Sequence, residues 1–545
     1  MLRQSFFGLL CCLIGQIASA QTSNAGNEHR NLVQRNFPPS LIAENLVNRA
    51  DFKPFPISKS EWESQLSDSI RARIVAAGDE ALNFEFQAIP ASVNMDYVRS
   101  GDRKRHSSIS YPKRQALLEL VLAEAVQREG RFNEAIFNGV WSICEESFWG
   151  VPAHVRNSDL PDVENPQVDL FAAETATVLC FADYFVGKEL DSISPMIRKR
   201  IRDEVRRRIF DPMMNDSVWY FYLRKDGPVN NWNPWIMSNW LWCILLLEDD
   251  LQQREAMVNR AIENIDLYIN GLGPEGGCDE GPSYWFAAGG CVFDFLETLE
   301  LATNHSSAIF DEPVIQGMLL FPMRMCISER YAINFSDASP QISWDGNLLF
   351  RIGRRMGSDE LMSFGAWAVQ RSGEAALPSG FERGRKIQNL FTYAAASEFV
   401  VERSAPTVDW LADIQLFTVR TENGLFASLR GGNNGESHNH NDIGDVLVYW
   451  QGKPFIIDVG SGTYTSRTFS SKRYSLWYTR SDHHNVPIVQ GQTQREGARY
   501  RASVVDVSKD SDIPAVTLEL NAAYPAKAGI SGCNVRYLSS ESKMR

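Results

Sequence analysis

The sequence predicts two domains, a long helical one built as an all-α toroid or array of helix pairs, then an all-β one. Three observations carry this. Between about 110 and 370, apolar residues recur at helical spacing in segments of ten to twenty residues, punctuated by Gly, Pro and Asn. Near 375–390, at Gly373 and Leu377-Pro378-Ser379-Gly380, the texture changes to short alternating runs of β type. A chain of 545 residues is also longer than one ordinary core requires.

In chain order, residues 1–20 read as a secretory signal. Arg3 supplies the positive end, 6–14 the apolar stretch, and Ala18-Ser19-Ala20 a small-residue cleavage site. Export to the periplasm or the medium is expected. Leu10 stands before Cys11 where a lipoprotein signal needs a small residue, which argues against lipid anchoring. No later uncharged apolar stretch is long enough to predict a membrane span. Residues 21–50 are polar and read as a flexible leader. Helical periodicity marks 114–128, 170–186, 195–209, 235–247, 253–269, 284–303 and 314–327, within a helical domain over 51–380. No fixed-period repeat is visible, which argues against a regular solenoid. The β domain over 381–545 has runs at 417–420, 425–429, 446–450, 454–459 and 486–489, with Gln451-Gly452 as a hairpin turn. The chain stops soon after a strand-like 515–520, so that domain is either small or cut short.

Composition narrows the function. Hydrophobic residues at 44% exclude a largely disordered chain. A net charge of −13 argues against nucleic-acid binding through overall charge, while leaving a local basic pocket open. Beyond the signal, seven cysteines are scattered, odd in number and without CxxC spacing, so they read as buried free thiols and not as a disulfide framework.

Four of eight histidines, His438, His440, His483 and His484, fall close together in sequence. His438 and His440 are two apart, which on an extended chain points both to one side. Asp458 ends the apolar run Phe455-Ile456-Ile457, where a buried carboxylate is costly unless paired or metal-bound. His440, Asp458 and one of His483/His484 make a two-His, one-carboxylate site suited to a divalent metal such as zinc, or else a hydrogen-bonded cluster. Asn230-Asn231-Trp232 precedes a helical run in a stretch holding five of the fourteen tryptophans; it reads either as caps and core, or as a surface that stacks on sugar rings. Glu280-Gly281-Pro282-Ser283-Tyr284 places a tyrosine in the first turn of a helix and matches no phosphate loop. Arg351, Arg354 and Arg355 read as an anion contact or a solvated helix face. The arginines of 198–208 read as a solvated face.

Three of these segments together resemble the heparinase II/III-like family of polysaccharide lyases, with its alginate lyase relatives. Five motifs occur in the family's order over 230–490: Asn230-Asn231-Trp232, Glu280 to Tyr284, His438-Asn439-His440-Asn441-Asp442, Phe455 to Tyr464, and Arg480-Ser481-Asp482-His483-His484-Asn485. The resemblance implies an (α/α) toroid followed by an antiparallel β-sandwich, and lysis of a uronate-containing anionic polysaccharide by β-elimination. It implies Asn231, Tyr284 and His438 as catalytic residues and His440, Asp458 and His484 as ligands of a structural zinc. His484 is chosen over His483 because it directly precedes Asn485. Asn230, Trp232, Glu280, Tyr464 and Arg480 are assigned to substrate binding. The sequence departs from many relatives in having Trp232, not His, after the matching Asn, and Tyr464, Tyr474 and Tyr478 compete for a second active-site tyrosine. The rivals are a uronosyl C5-epimerase on the same scaffold, a glycoside hydrolase using Asp279 and Glu280, and a non-catalytic polysaccharide-binding protein.

Overall fold

A computed structural model describes residues 29–538 apart from 156, 157, 219, 226, 228, 374, 403–406, 512 and 531. The predicted signal, 1–20, lies outside the described residues.

The helical domain is organised around Trp232–Leu247, which is apolar on nearly every side and buried along almost its whole length. A helix without a polar face must be surrounded. It is packed by Leu170–Ile193, Leu251–Gly271 and Gly289–Thr303, and Lys104–Gln127 covers the far side of Leu170–Ile193. Leu170–Ile193 is long and apolar enough to cross a membrane, but it is a core helix, 89% buried over its most apolar window. Asp169 and Asp250 cap two of these helices through their carboxylates. The seven cysteines among the described residues are all free thiols, and six are buried.

Three boundaries differ from the sequence reading. Residues 29–50 are not a flexible leader: they hold two short helices, Leu32–Asn36 and Pro39–Asn45, that bury Leu32, Val33, Phe37 and Ile42. Asp266 accepts the Val33 and Gln34 amides at 2.9 Å each, so four apolar side chains and one carboxylate outweigh a polar composition. The helical domain also runs past 380. Arg383–Glu398 is a helix whose Arg383 pairs with Glu174 at 2.9 Å and whose Arg385 reaches Asp294 at 2.8 Å, both buried. The Gly373 and Pro378 signals therefore mark a loop inside that domain. Finally, 284–303 is two helices, Pro282–Trp285 and Gly289–Thr303, separated where Ala288 leaves helical geometry.

Neither reading of the arginine runs holds as a whole. Arg351 is buried against Asp294 and Gln388, Arg355 forks onto Glu300, and Arg198 pairs with Asp183. They are structural ion pairs, and only Arg354 of the 351–355 set is exposed.

The β domain begins at β1 (Val408–Leu411) and continues through β2 (Leu416–Arg420), β3 (Leu425–Arg430), β4 (Asn433–Asn434), β5 (Val446–Trp450), β6 (Lys453–Ile456), β7 (Gly497–Arg501), β8 (Ser503–Ser508), β9 (Ala515–Glu519) and β10 (Asn534–Leu538). All pairings are antiparallel, giving a five-stranded sheet β1-β2-β3-β5-β6, a three-stranded sheet β10-β9-β8 and the pair β4-β7. Gln451 and Gly452, with φ of 49° and 73°, form the predicted two-residue turn between β5 and β6. The predicted run at 486–489 makes only an isolated bridge, Val489 to Gln492.

Period-2 alternation sends the two faces of the five-stranded sheet to different cores. Leu416, Phe426, Leu447 and Tyr449 join the core of the helical domain, whereas Phe417, Val419 and Leu429 pack with Val516 and Leu518 of β9. Arg324, closing the helix Pro313–Met325, forks onto Asp409 of β1 at 2.5 and 2.6 Å. The sheet is thus fastened to the helices by apolar area and by a charge-assisted fork. The 431–445 crossover between β3 and β5 is held beside them, and it carries His438 and His440.

Candidate active site

The helical side of the site starts at Gly281. Its φ of +89° is one that L side chains avoid, and a Cβ there would lie 2.5 Å from the Ala338 Cβ. Pro282 then starts the helix without an amide to satisfy. This turn fixes Tyr284. It is tied to the 335–339 loop by the Ser339 amide donating to Ser283 Oγ at 3.1 Å.

The β side is built by hydrogen bonds. The 435–442 segment is a loop and not an extended strand, and His438 sits at a φ of +54°. The expectation that His438 and His440 face one side therefore fails in its geometry but holds in its result: both reach the Asp337 carboxylate. His438 Nδ1 lies 3.0 Å from Oδ2, and His440 Nε2 lies 2.9 Å from Oδ1. Arg473 donates to Asp337 Oδ1 at 2.9 Å, and to the carbonyls of His438 and Asn439 at 2.7 and 3.0 Å. The Tyr464 hydroxyl donates to Asp337 Oδ2 at 3.0 Å, lies 3.1 Å from His438 Nδ1, and contacts the Tyr284 hydroxyl. The Tyr284 and His438 rings pack against each other at 4.6 Å between centroids, tilted by 44°. Of the three competing tyrosines, Tyr464 joins Tyr284. Tyr474 accepts from Asn439, and Tyr478 packs on His440.

These contacts set the charges. Burial opposes ionisation of Asp337, but His438, His440 and Arg473 override it and hold the carboxyl well below the usual range. Burial pushes the Tyr284 and Tyr464 phenols above theirs. Burial likewise lifts Glu280 to about 7, with Asp279 adding to the rise and His438 opposing it.

A cavity of about 470 Å³ adjoins this cluster and is lined by Asn230, Asn231, Glu280, Asn433, Glu436 and Ser437, among others. It joins the start of helix Trp232–Leu247, the Glu280 turn and the crossover just before His438. Its lining is more acidic than the sequence suggested. Burial lifts Glu436, as it does Glu280, to about 7, so both carry less negative charge than a count of acids implies. Trp232 does not line this cavity. Its ring packs on His154 at 4.5 Å and Phe221 at 4.9 Å, and it lines a separate cavity in the helical domain. Arg480 is engaged by Asp482, at 3.0 and 2.5 Å, and no contact joins it to Tyr284 or His438 among the described residues.

The metal-type residues also come together. One ligand atom from each of His440, Asp458 and His484 lies within 4.8 Å of the others, and all three residues are buried. His484 Nδ1 contacts Asp458, whose other oxygen accepts from the Gly460 amide at 2.8 Å and from Asn334 at 3.2 Å. His483 is left outside, against Trp477. With Nε2 on Asp337, His440 Nδ1 is a buried atom without a hydrogen-bond partner. An orphaned imidazole nitrogen, a carboxylate and a second imidazole form a donor set that fits zinc. Asn485 donates to the carbonyls of Val446 and Ile457 at 3.0 and 2.8 Å, so it positions His484 by bridging the ends of β5 and β6.

Asp337 and Arg473 were not singled out from the sequence. Asp337 is separated from the apolar run Tyr331-Ala332-Ile333 by Asn334-Phe335-Ser336, whereas Asp458 directly follows its own run, so Asp337 carries that local signal only in diluted form. Arg473 has no comparable signal.

No family model matches the chain, and no curated protein matches it in sequence. Solved structures do. A heparinase III crystal structure matches at TM-score 0.56 and 14% identity, over 91% of this chain and 74% of that one. The chain shares the heparinase III fold. A second heparinase III matches at 0.53 and 12%, over 87% and 67% of the two chains, and a heparan sulfate lyase HepC mutant from Pedobacter heparinus at 0.50 and 13%, over 92% and 70%.

Proposed function

We propose that the protein is a polysaccharide lyase that cleaves a uronate-containing anionic polysaccharide by β-elimination. The observation that carries this is the meeting of Tyr464 and His438 on one buried carboxylate, with Tyr284 against both of them, beside a cavity lined by Asn231. The shared fold with heparinase III supports it. In this reading the helices close into an (α/α) toroid and the two larger sheets pair as a β-sandwich.

The chemistry suits these residues. The C5 proton of a uronate is hard to remove because the adjacent carboxylate is already an anion. Asn231, an uncharged donor, holds that carboxylate as enolate character develops, and Glu280, kept near neutral by burial, adds a second donor. His438 takes the C5 proton, and Tyr284, whose phenol burial keeps protonated, gives its proton to the leaving glycosidic oxygen. The C5–H and C4–O bonds break, a C4=C5 double bond forms, and no water is consumed. His440, Asp458 and His484 would hold a zinc ion. Bound there, the ion would neutralise Asp458 and pin the histidine loop to the segment after β6. Trp232 lies outside the cavity in this reading, and Arg480 acts on the fold through Asp482.

The test is incubation with alginate, heparan sulfate, hyaluronan, pectin and ulvan, followed by ultraviolet absorbance of the unsaturated uronate. Absorbance gain on at least one polymer, lost in Tyr284→Phe, is expected. Binding without gain across the panel would overturn the proposal, and C5 proton exchange with solvent without gain would indicate an epimerase instead.

A further inference from the structure

We propose that Asp337 is a positioning residue that sets two histidines in opposite tautomers, one for chemistry and one for the metal. The inference rests on the lyase reading for the role of His438, and on hydrogen-bond geometry for the rest.

Asp337 is buried and meets four donors: His438 Nδ1, His440 Nε2, the Tyr464 hydroxyl and Arg473 Nη2, at 2.9 to 3.0 Å. Arg473 is always protonated and lies against Oδ1, so the carboxylate stays ionised and can only accept. Each imidazole nitrogen facing it must therefore carry a proton. In His438 that nitrogen is Nδ1, which leaves the Nε2 lone pair for the substrate. In His440 it is Nε2, which leaves the Nδ1 lone pair, the orphaned buried atom, for the metal. A carboxylate behind a metal-binding imidazole fixes its ring and raises its donor strength. A carboxylate behind a catalytic imidazole does the same for a base. Here one group does both, because the two histidines are two residues apart on a loop bent at His438.

The same carboxylate orders the tyrosines. Tyr464 has one hydroxyl proton and gives it to Asp337. Its oxygen must then accept from Tyr284, which keeps the Tyr284 proton in place until substrate displaces the contact.

The test uses the full-length zinc-loaded protein with ¹⁵N-labelled histidine. Long-range ¹H–¹⁵N correlation spectra should show His438 protonated on Nδ1 alone and His440 on Nε2 alone. Finding both in the same tautomer would overturn the proposal without any variant. Asp337→Asn, which can satisfy one imidazole but not both, should lower kcat by about 10³–10⁴-fold with KM unchanged. It should also weaken zinc affinity by about 10–100-fold in chelator competition. If Asp337→Asn misfolds, Asp337→Glu should restore folding and partial zinc affinity. A folded Asp337→Asn protein with wild-type zinc affinity and tautomers would refute the role. Absence of lyase turnover in the wild type would overturn the lyase reading alone, because the spectra and zinc affinity do not depend on it.

Discussion

Tyr284 reaches the site from a turn that sterics define, whereas His438 reaches it from a loop that hydrogen bonds define. On the helical side, Gly281 fits only without a side chain, Pro282 presets the helix, and one hydrogen bond from Ser339 locks the turn. On the β side, a Cβ on Gly435 would lie 2.6 Å from the Ala498 nitrogen, so sterics fix the start of 435–442 but not the bend at His438. Arg473, Asp337 and Gln494, which pairs with both backbone groups of Ile443, hold it by polar contacts. A sterically defined turn tolerates loss of a polar atom but not an added methyl. A polar loop behaves in the opposite way, since one missing partner leaves buried groups unsatisfied.

The largest effect that tests this contrast is Tyr284→Phe. Turnover on an accepted polysaccharide should fall by about 10²–10⁴-fold, with the melting temperature unchanged. A large drop in melting temperature would show that the Tyr284–Tyr464 contact holds the fold, and would erase the distinction. His440→Ala should do the reverse, losing bound zinc together with on the order of 2–4 kcal/mol of stability, read by metal analysis and denaturant unfolding. Unchanged metal content in that variant would sink the ligand assignment.

Glu280→Gln sharpens the comparison through pH. The carboxyl rises from about 4.5 to about 7 on folding, chiefly by burial. The folded state thus binds more protons between those values, so the favourable contribution is complete below 4.5 and is lost as pH rises through 7. A neutral amide at this position removes that loss. Glu280→Gln should therefore be more stable than wild type at pH 8, by on the order of 3 kcal/mol, and equal to it at pH 4. A pH-independent difference in melting temperature would contradict this. Gly281→Ala tests the steric side directly: the added methyl should cost about 1–3 kcal/mol of stability, with turnover reduced by displacement of Tyr284 and zinc content unchanged. Reduced zinc content there would show that the two sides are one mechanical unit.

Much of the site was legible because its residues belong to local motifs. Tyr284 follows Gly281-Pro282, and His438 and His440 flank one asparagine. Asp458 closes an apolar run. Other parts were not legible, because their roles depend on long-range partners. Asp337 acquires its role from groups 101 to 136 residues later in the chain. Trp232 sits beside the matching asparagine but turns toward His154. The 383–398 helix follows strong loop signals, yet its buried arginines pair with Glu174 and Asp294, far earlier in the chain.

By itself the sequence determined the two-domain order, most of the core helices, the β5–β6 turn and several of the side chains that gather at the candidate site. These follow from periodicity, backbone preference and side-chain type, which act over a few residues. Only the tertiary structure decided that Asp337 joins the two histidines, that Tyr464 and not Tyr474 or Tyr478 meets Tyr284, and that Arg480 and Trp232 turn elsewhere. Each of those outcomes depends on which distant groups a buried charge or hydroxyl finds when water is excluded. That is settled by packing across the whole chain and not by local spacing.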